Sequence, residues 1–302
     1  MSRVCGAGIL PYFIDPQGGE IYFLLGREQH VPGWRGSSKV SAFEGGHKGG
    51  ETIERNAVRE FAEESMLLLL THESELDDLE RQLARGDYAM KIGVFSQQRD
   101  EQHWTYVKRF PWPGNAPLDA AFARRREALR EVQGALARSA AAVVPPEGRY
   151  PFLRRGDRVE WGAAAGPTPL ADARVARRAD HFVTIEYAFA HGASRRVTFP
   201  RSEQMDAYAQ SLDDEAVLRA RVGALPPLLA RKAVAGAKPR VSNEWLEKQS
   251  VALYSLPQLQ QMLRRNPDEF RAYFLIVIRQ VMQQFAAPSP PGAVVSVRDT
   301  YG

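Results

Sequence analysis

The sequence predicts an α/β (α+β) protein in which a mixed sheet is sandwiched between helices, with a large, mainly helical insertion. Three observations predict this. Apolar segments rich in β-branched and aromatic residues alternate with helical patterns over the first 110 residues. A long stretch rich in proline, alanine and arginine then breaks that order. A strand-like segment and two apolar helical segments follow, and a sheet covered by helices on both faces accounts for this order.

Residues 1–110 form the first part of the predicted core. The cluster Asp15-Pro16-Gln17-Gly18-Gly19 marks a turn, so the strands on either side of it are predicted to form a hairpin. Thr52 is a candidate N-cap, and Ile53, Ala57 and Phe61 follow it at helical spacing. The predicted strands are 4–12, 20–27, 39–43, 88–95 and 103–110, and the predicted helices are 52–66 and 73–83.

Residues 111–240 are predicted to be a basic insertion subdomain, helical with a β hairpin. The segment Pro111-Trp112-Pro113-Gly114 opens it, and its length is too great for a simple loop. Residues 241–286 are expected to complete the core with a closing strand and C-terminal helices, and residues 287–302 to form a flexible tail. Inside the insertion, the predicted helices are 120–142 and 203–232, the latter broken at Pro226-Pro227, and the hairpin strands are 182–190 and 195–199.

The composition is that of a folded globular protein, since hydrophobic residues make up 44% and charged residues 25% of the 302 residues. A wholly disordered chain, a collagen-like fibre and a disulfide-stapled miniprotein are thereby excluded. Cys5 has no cysteine partner, which suits a reducing compartment. No apolar run approaches the roughly 20 residues of a membrane helix, and Pro11 and Asp15 interrupt the apolar segment where a secretory signal would lie. We therefore expect a soluble, cytoplasmic protein with no membrane partner.

The net charge of +4 is unevenly distributed along the chain. Basic residues, nearly all arginine, exceed acidic ones between Arg109 and Arg240. An arginine-rich segment suits partners that carry phosphate, so RNA is a candidate partner of the insertion. A solvated surface explains the same excess, and the triplet Arg124-Arg125-Arg126 lacks the neighbouring aromatic residues of a nucleic-acid groove.

Three carboxylates share one face of the predicted helix 52–66. Glu60, Glu63 and Glu64 stand at i, i+3 and i+4, where Glu60 and Glu64 repel each other. Hard oxygen ligands of this kind suit Mg²⁺ or Mn²⁺, and the glycine-rich turn before the helix allows a ligand to approach the backbone closely. The alternative is a solvated helix whose glutamates pair with Arg55 and Arg59.

The full spacing resembles a known motif. Gly45 is followed after five residues by Glu51, then after seven by Arg59-Glu60-Phe61, and after one more by Glu63-Glu64. This resembles the Nudix box, G-x5-E-x7-R-E-U-x-E-E-x-G-U, in which U is a bulky apolar residue. The match covers Gly45–Leu67 and has one departure, Met66 in place of the late glycine. A weaker resemblance extends to 4–110 and 243–285.

The resemblance implies a Nudix fold and hydrolysis of a pyrophosphate bond in a nucleoside diphosphate linked to a group X. In the family, the glutamates that match Glu60, Glu63 and Glu64 hold Mg²⁺ or Mn²⁺. One of them, or a carboxylate outside the box, acts as the general base. Glu247 precedes an apolar L-x-x-L pattern at about the family's spacing for such an acid, and Glu244 is its rival. A surface position is an equal alternative for Glu247.

The resemblance also implies supporting roles. The arginine that matches Arg59 orients the helix carboxylates, and the glutamate that matches Glu51 supports the loop and the helix. The glycine that matches Gly45, or its neighbour Gly46, can offer a carbonyl oxygen to the metal. Met66 lies where the family's glycine relaxes the end of the helix, so it affects the local backbone more than the metal ligands.

Candidate substrate contacts lie outside the box. Arg27 ends a predicted strand at a position where the family often carries a basic residue that points toward the phosphates. Arg35 and Lys39 flank a short polar loop. Solvated positions are the alternative for all three. Four aromatic side chains could offer a stacking face to a nucleobase, and these are Trp34, Trp104, Phe110 and Trp112. Aromatic residues at such positions more often belong to the core.

Two other functions stay open. A non-catalytic Nudix-like module would bind a nucleotide or RNA and regulate another process, which the Met66 departure and the large insertion motivate. A capped-RNA hydrolase would hold the RNA body on the basic insertion. The group X is equally open among sugars, nucleotides, coenzymes, inositol phosphates and RNA caps, because selectivity resides in loops outside the box.

Overall fold

The computed structural model describes residues 3–96, 100–141, 153, 157–159, 168–190, 192–234, 241–286 and 292–299. The chain divides into two compact units. The first comprises Met1–Glu127, Pro226–Ala235 and Val241–Gly302, and the second Ala128–Leu225 and Gly236–Arg240.

The strands, in chain order, are β1 (Arg3–Ile14), β2 (Ile21–Glu28), β3 (Val40–Ser41), β4 (Phe43–Gly46), β5 (Met90–Ser96), β6 (Glu101–Arg109), β7 (Arg158–Val159), β8 (Thr168–Arg178), β9 (Phe182–Phe189), β10 (Ser194–Pro200), β11 (Lys248–Ser255) and β12 (Ala293–Asp299). The helices are α1 (Ile53–Glu64), α2 (Glu73–Ala84), α3 (Leu118–Ala141), α4 (Glu203–Gly223), α5 (Pro227–Ala233), α6 (Leu256–Arg265) and α7 (Ala272–Ala286). Short 3₁₀ turns lie at Asn243–Leu246 and Pro267–Glu269.

The first unit contains a mixed eight-stranded sheet with the order β11-β2-β1-β6-β5-β12. The long strand β1 pairs with β2 through Tyr12–Ile14 and with β4 through Gly6–Ile9, both antiparallel, while β6 runs parallel to it. The short strand β3 pairs with β2 at Gly26 and Arg27. The strands β3 and β4 therefore lie beside the place where β1 and β2 part, and α1 follows directly from β4.

Helices cover both faces of this sheet. Alternate residues of β1 and β2, such as Leu10 and Phe23, pack in one core with Phe274 and Val277 of α7. On the other face, Phe61 of α1 packs against strand and loop aromatics of the same unit. The predicted fold class, a mixed sheet sandwiched between helices, is confirmed.

The second unit has its own sheet, with the order β10-β9-β8-β7. Alternate residues of β9, including Val183, Ile185 and Tyr187, are buried against Tyr208 and Leu212 of α4. The predicted hairpin is present as β9 and β10. The additional long strand β8 pairs with β9, because its Ala173 and Val175 alternate with arginines and complete the same core.

Two expectations from the sequence differ from the structure. The tail 287–302 was expected to be flexible, but Ala293–Asp299 forms β12 and extends the main sheet in parallel with β5. Its Val297 packs against the core, so an open sheet edge and an apolar segment meet there. The insertion 111–240 is also not one body, because its residues 111–127 and Pro226–Ala235 belong to the first unit. In the described part of the chain, no helix combines the length and apolar character needed to span a bilayer.

Candidate active site

Helix α1 is fixed at its start and along its buried face. The Thr52 hydroxyl accepts the backbone N–H of Arg55 at 3.0 Å, which caps the helix. The Phe61 ring lies 5.6 Å from the ring centre of Phe43 and 5.2 Å from that of Phe110. These contacts set the rotation of the helix about its axis, and they thereby set the directions of its three glutamates.

Glu60 lies directly over the backbone of β4. A Cβ atom at Gly45 would lie 2.4 Å from both Cδ and Oε2 of Glu60, a separation that nonbonded atoms do not reach. Glycine is therefore required at position 45 for Glu60 to hold its place. Glu60 is only 7% exposed, and this burial, together with the charges of Glu63 and Glu247 and against the opposing charge of Arg59, raises its pKa to about 7.

Arg59 joins the acidic residues of the motif through one guanidinium group. Its Nε and Nη2 donate to the two oxygens of Glu51 at 2.7 and 3.2 Å. Its Nη1 donates to Glu60 at 2.7 Å and Glu63 at 3.0 Å, and Nη2 also donates to the Gly46 carbonyl at 2.9 Å. Partial burial raises the pKa of Glu51, but the bonds from Arg59 outweigh burial and lower it overall. Arg59 thus holds the glycine-rich turn and the helix carboxylates together.

Glu64 is held at both of its oxygens. Oε2 accepts the backbone N–H of Glu44 at 2.6 Å, and Oε1 lies 3.2 Å from Lys248 Nζ. The ammonium group of Lys248 is fully buried and also donates to Glu28 at 2.6 Å and Ser41 at 2.7 Å. Burial raises the pKa of Glu64 well above its usual value, although the charge of Lys248 lowers it in part. Strand β11 therefore supplies the cation that fixes the last glutamate of the motif.

Glu247 adjoins this cluster from the residue before β11. Its charge raises the pKa of both Glu60 and Glu64. Its own pKa is raised, first by desolvation and then by neighbouring acids, although its side chain is exposed. The rival Glu244 lies 3.1 Å from Lys48 Nζ in a partly exposed ion pair. The structure thus places Glu247 beside two motif carboxylates and ties Glu244 to the glycine-rich turn.

The donor set of this cluster consists of hard oxygen atoms, which is the set that Mg²⁺ and Mn²⁺ prefer. As arranged, no three acidic, histidine or cysteine side chains of the described residues converge on a point that could hold a metal ion. The ion pairs of Arg59 and Lys248 account for this, because they direct the carboxylates toward protein cations. The residues therefore fit a divalent cation by chemistry, and binding it requires the side chains to turn.

Glu44, next to Gly45 on β4, is a buried acid that no sequence pattern marks as a site residue. It is 4% exposed, and within the described chain neither of its oxygens makes a hydrogen bond of normal geometry. Burial raises its pKa, while the charges of Arg271 and Lys248 lower it by less. The described residues thus leave this buried acid short of hydrogen bonds beside the carboxylate cluster, although Thr105 approaches its carboxyl group.

The three predicted phosphate contacts lie on β2 and on the loop that follows it. Arg27 donates to the Ser38 carbonyl at 2.7 Å and to Glu269 at 3.2 Å. Arg35 is exposed on the loop before β3, and Lys39 at its end is half-buried. Contact between these side chains and phosphate stays a prediction.

The structure adds four residues to the site, which are Glu28, Ser41, Lys248 and Arg271. Arg271 Nη1 donates to Glu28 at 3.1 Å, so this acid links two cations. No local pattern marks these positions, because they come from β2, β3, β11 and the start of α7. The sequence marks Lys248 only as a lysine within the predicted closing strand, and a solvated lysine would look the same in the sequence.

The arginine triplet of the insertion has a structural role in two of its members. Arg125 Nη1 donates to the Met66 carbonyl at 2.8 Å, and Arg126 Nε donates to the Lys248 carbonyl at 2.8 Å. Both arginines therefore anchor α3 to the backbone around the site. They are not free to form the RNA-binding patch that the sequence suggested.

Similar solved structures are Nudix hydrolases at low similarity. A Nudix hydrolase from Nitrosomonas europaea is 7% identical, with 99% of this chain and 81% of that chain covered and a TM-score of 0.34. An Ap4A hydrolase from C. elegans is 19% identical, over 36% of this chain and 68% of that chain, with a TM-score of 0.24. The Nudix hydrolase RenU from M. smegmatis is 18% identical, over 39% and 68%, with a TM-score of 0.23.

No protein-family model matches the sequence, and no curated protein matches it. TM-scores this low bear on neither the substrate nor the reaction. The chemistry of the site therefore rests on its own residues.

Proposed function

We propose that this protein is a Nudix-type hydrolase that cleaves a pyrophosphate bond in a nucleoside diphosphate linked to a group X, with Mg²⁺ or Mn²⁺. The observation that carries the proposal is the position of Arg59, whose guanidinium joins Glu51, Glu60 and Glu63 at 2.7 to 3.2 Å. These are the residues that the motif spacing selected. Unlike the glutamates of a solvated helix face, Glu60 and Glu64 are buried, at 7% and 2% exposure.

The cation would be held by oxygens of Glu60, Glu63 and Glu64, with the carbonyl of Gly45 or Gly46 as a further ligand. A bound divalent cation neutralises phosphate charge and lowers the pKa of an attacking water. The side chains around it perform separate tasks. Lys248 and the Glu44 N–H hold Glu64 in one orientation, and Arg59 keeps the other two helix carboxylates beside the turn.

Glu247 is proposed as the general base. It is exposed, so water can reach its carboxylate, and its charge acts on the neighbouring Glu60 and Glu64. The water oxygen forms a bond to one phosphorus while the bond from that phosphorus to the bridging oxygen breaks. The bridging oxygen leaves with the other phosphate, and the water proton passes to Glu247. Arg27, Arg35 and Lys39 remain the proposed phosphate contacts.

The proposal is tested with a substrate panel in Mg²⁺ or Mn²⁺, read by mass spectrometry of the products. The panel contains nucleoside triphosphates, ADP-ribose, NADH, dinucleoside polyphosphates and capped RNA. We expect one class to be cleaved, and we expect E63Q and E64Q to abolish turnover while both variants stay folded by circular dichroism. The pair E247Q and E244Q decides the base, because only E247Q is expected to lose kcat. Full turnover in both E63Q and E64Q refutes the assigned roles.

The panel also separates the alternative functions. Tight nucleotide binding without any cleavage, with metal binding shown by calorimetry, favours a non-catalytic module. Cleavage of capped RNA with a steep loss of affinity in salt favours an RNA substrate held through several phosphates. The inward contacts of Arg125 and Arg126 weigh against this second alternative.

A further inference from the structure

One aromatic side chain remains open among the four that the sequence offered for stacking. Phe110 is buried against Phe61, and Trp104 is half-buried on β6. Trp112 packs against other rings, with Tyr22 at 5.2 Å. Trp34 is 41% exposed. The structure thus reduces four candidates to one.

Trp34 lies in a fixed turn, which we call the Trp34 loop (residues 29–39). Of the four large apolar side chains that are exposed in the described chain, two belong to this loop, Val31 and Trp34. The backbone N–H of Trp34 donates to the Val31 carbonyl at 3.2 Å, and the Ser37 hydroxyl accepts the backbone N–H of Val31 at 2.8 Å. A Cβ atom at Gly36 would lie 2.5 Å from the indole, so the ring lies directly on the backbone there. The exposed apolar surface is therefore preorganised.

The Trp34 loop borders the carboxylate cluster at both of its ends. At its start, the Gln29 N–H donates to the Glu247 carbonyl at 2.9 Å. At its end, the Lys39 carbonyl accepts the N–H of Glu28 at 2.8 Å, and Glu28 in turn binds Lys248. The loop therefore adjoins the proposed general base and the ion pair that holds Glu64.

A guanidinium group joins the indole to this ion pair. The Arg271 guanidinium carbon lies 5.5 Å from the centre of the Trp34 ring, within the range of a cation–π contact. The Nη1 atom of the same group donates to Glu28 at 3.1 Å, and the Arg271 side chain is 30% exposed. An open indole, a partly open cation and the carboxylates thus follow one another along one side of the site.

We propose that Trp34 is the platform on which the heteroaromatic base of the substrate stacks, with Arg271 beside it toward the phosphates. This inference rests on the proposed function and assigns the residue that recognises the nucleobase of its substrate. Every base presents a π face to an indole, so stacking selects against sugar and inositol diphosphates without choosing among bases. An exposed, preorganised indole serves this purpose, because the protein has already ordered the ring before the ligand arrives.

The binding test uses intrinsic fluorescence with AMP, GMP and ribose 5-phosphate as probes, in the presence of Mg²⁺. AMP and GMP are expected to quench the wild-type protein, and ribose 5-phosphate, which lacks a base, is not. The quenching is expected to disappear in W34F and to persist in W112F, the matched control whose indole packs against other rings. Circular dichroism establishes that W34F and W34A are folded. Unchanged quenching in W34F, equal binding of ribose 5-phosphate, or no binding of AMP and GMP at millimolar concentration overturns the inference.

Kinetics then separate this inference from the proposed function. For a base-bearing substrate, W34A is expected to raise KM about tenfold with little change in kcat, because stacking contributes about 1–3 kcal/mol. For tripolyphosphate, which lacks a base, W34A and wild type are expected to agree. Cleavage with KM unaffected by W34A refutes the stacking role and leaves the hydrolase. Nucleotide binding through Trp34 without any cleavage refutes the hydrolase and leaves the stacking role.

Discussion

The carboxyl group of Glu60 fills the space that a side chain at position 45 would need, since a Cβ atom at Gly45 would lie 2.4 Å from its Cδ atom. The two residues belong to different elements, β4 and α1. Their contact shows why a motif of this kind requires both a glycine before the helix and a glutamate within it. The glycine provides the room into which the helix carboxylate fits.

Substituting this glycine should displace Glu60 without unfolding the protein. In G45A, overpacking is expected to lower the free energy of unfolding by about 1–3 kcal/mol, and the shifted carboxylate to lower kcat about 100-fold or more. The matched control is G49A in the same turn, where a Cβ atom meets open space. Denaturant unfolding and steady-state kinetics measure both effects. Equal behaviour of the two variants would contradict the steric explanation.

The buried ammonium of Lys248 should contribute far more to stability than other buried lysines. K248M leaves Glu64 without its cation and Glu28 with Arg271 alone, so a loss of about 3–5 kcal/mol in the free energy of unfolding is expected. Lys108 is the control, since it is 6% exposed but pairs with Asp87, whose side chain is 66% exposed and regains water when the pair is lost. Urea titrations compare K248M with K108M. Similar losses in both variants would show that the contacts of Lys248 with Glu28 and Glu64 contribute nothing extra to the free energy of unfolding.

His103 should make the fold sensitive to acid. Burial first, and then the charge of Arg271, lower its pKa from 6.5 to about 3, and its ring nitrogen lies 2.8 Å from the Tyr273 hydroxyl. The unfolded chain binds a proton near pH 6.5 that the folded protein does not bind until about pH 3. Stability from this group is therefore complete above pH 6.5 and falls by about 1.4 kcal/mol per pH unit below it. The slope is expected to be shallower in H103Q and unchanged in H181Q, whose histidine is exposed, in urea titrations from pH 7 to 4.

The helix and its acids were predictable because their signal is local. The apolar spacing around Phe61 predicts one helix face, and the same periodicity brings Glu60 and Glu64 to another. The contact between Arg59 and Glu51 spans only a short turn, so the motif spacing implies it. The sheet strands within residues 1–110 follow from β-branched and aromatic segments for the same reason.

Contacts between distant segments were not predictable in this way. Nothing in the sequence around Lys248 shows that its ammonium contacts Glu28 and Glu64, because the three residues belong to the separate elements β11, β2 and α1. The inward paths of Arg125 and Arg126 likewise depend on where α3 packs, and a run of arginines alone suggests a solvated or phosphate-binding surface. Strand β12 was missed because an open sheet edge, which a sequence does not display, decides whether a terminal apolar segment is ordered.

Met66 offers a test that separates backbone strain from packing. Met66 and Leu67 both have a positive φ, 52° and 55°, where glycine is favoured, and the Met66 side chain is completely buried. M66A keeps the backbone strain and loses most of the packing, whereas M66G loses the packing and relieves about 1–2 kcal/mol of strain. The expected order of unfolding free energy in urea is wild type, then M66G, then M66A. If M66A proved more stable than M66G, the backbone at this position would not be strained.

The turn at Met66 also bears on how such a motif can change over evolutionary time. A glycine would adopt the positive φ of this turn without strain, whereas a large apolar residue offsets the strain by packing in the core. Two unlike residues are therefore alternative solutions at one position. Substitution there needs no compensating change among the charged positions, which the chemistry constrains separately. A lineage can thus lose this glycine while Glu60, Glu63 and Glu64 stay in register.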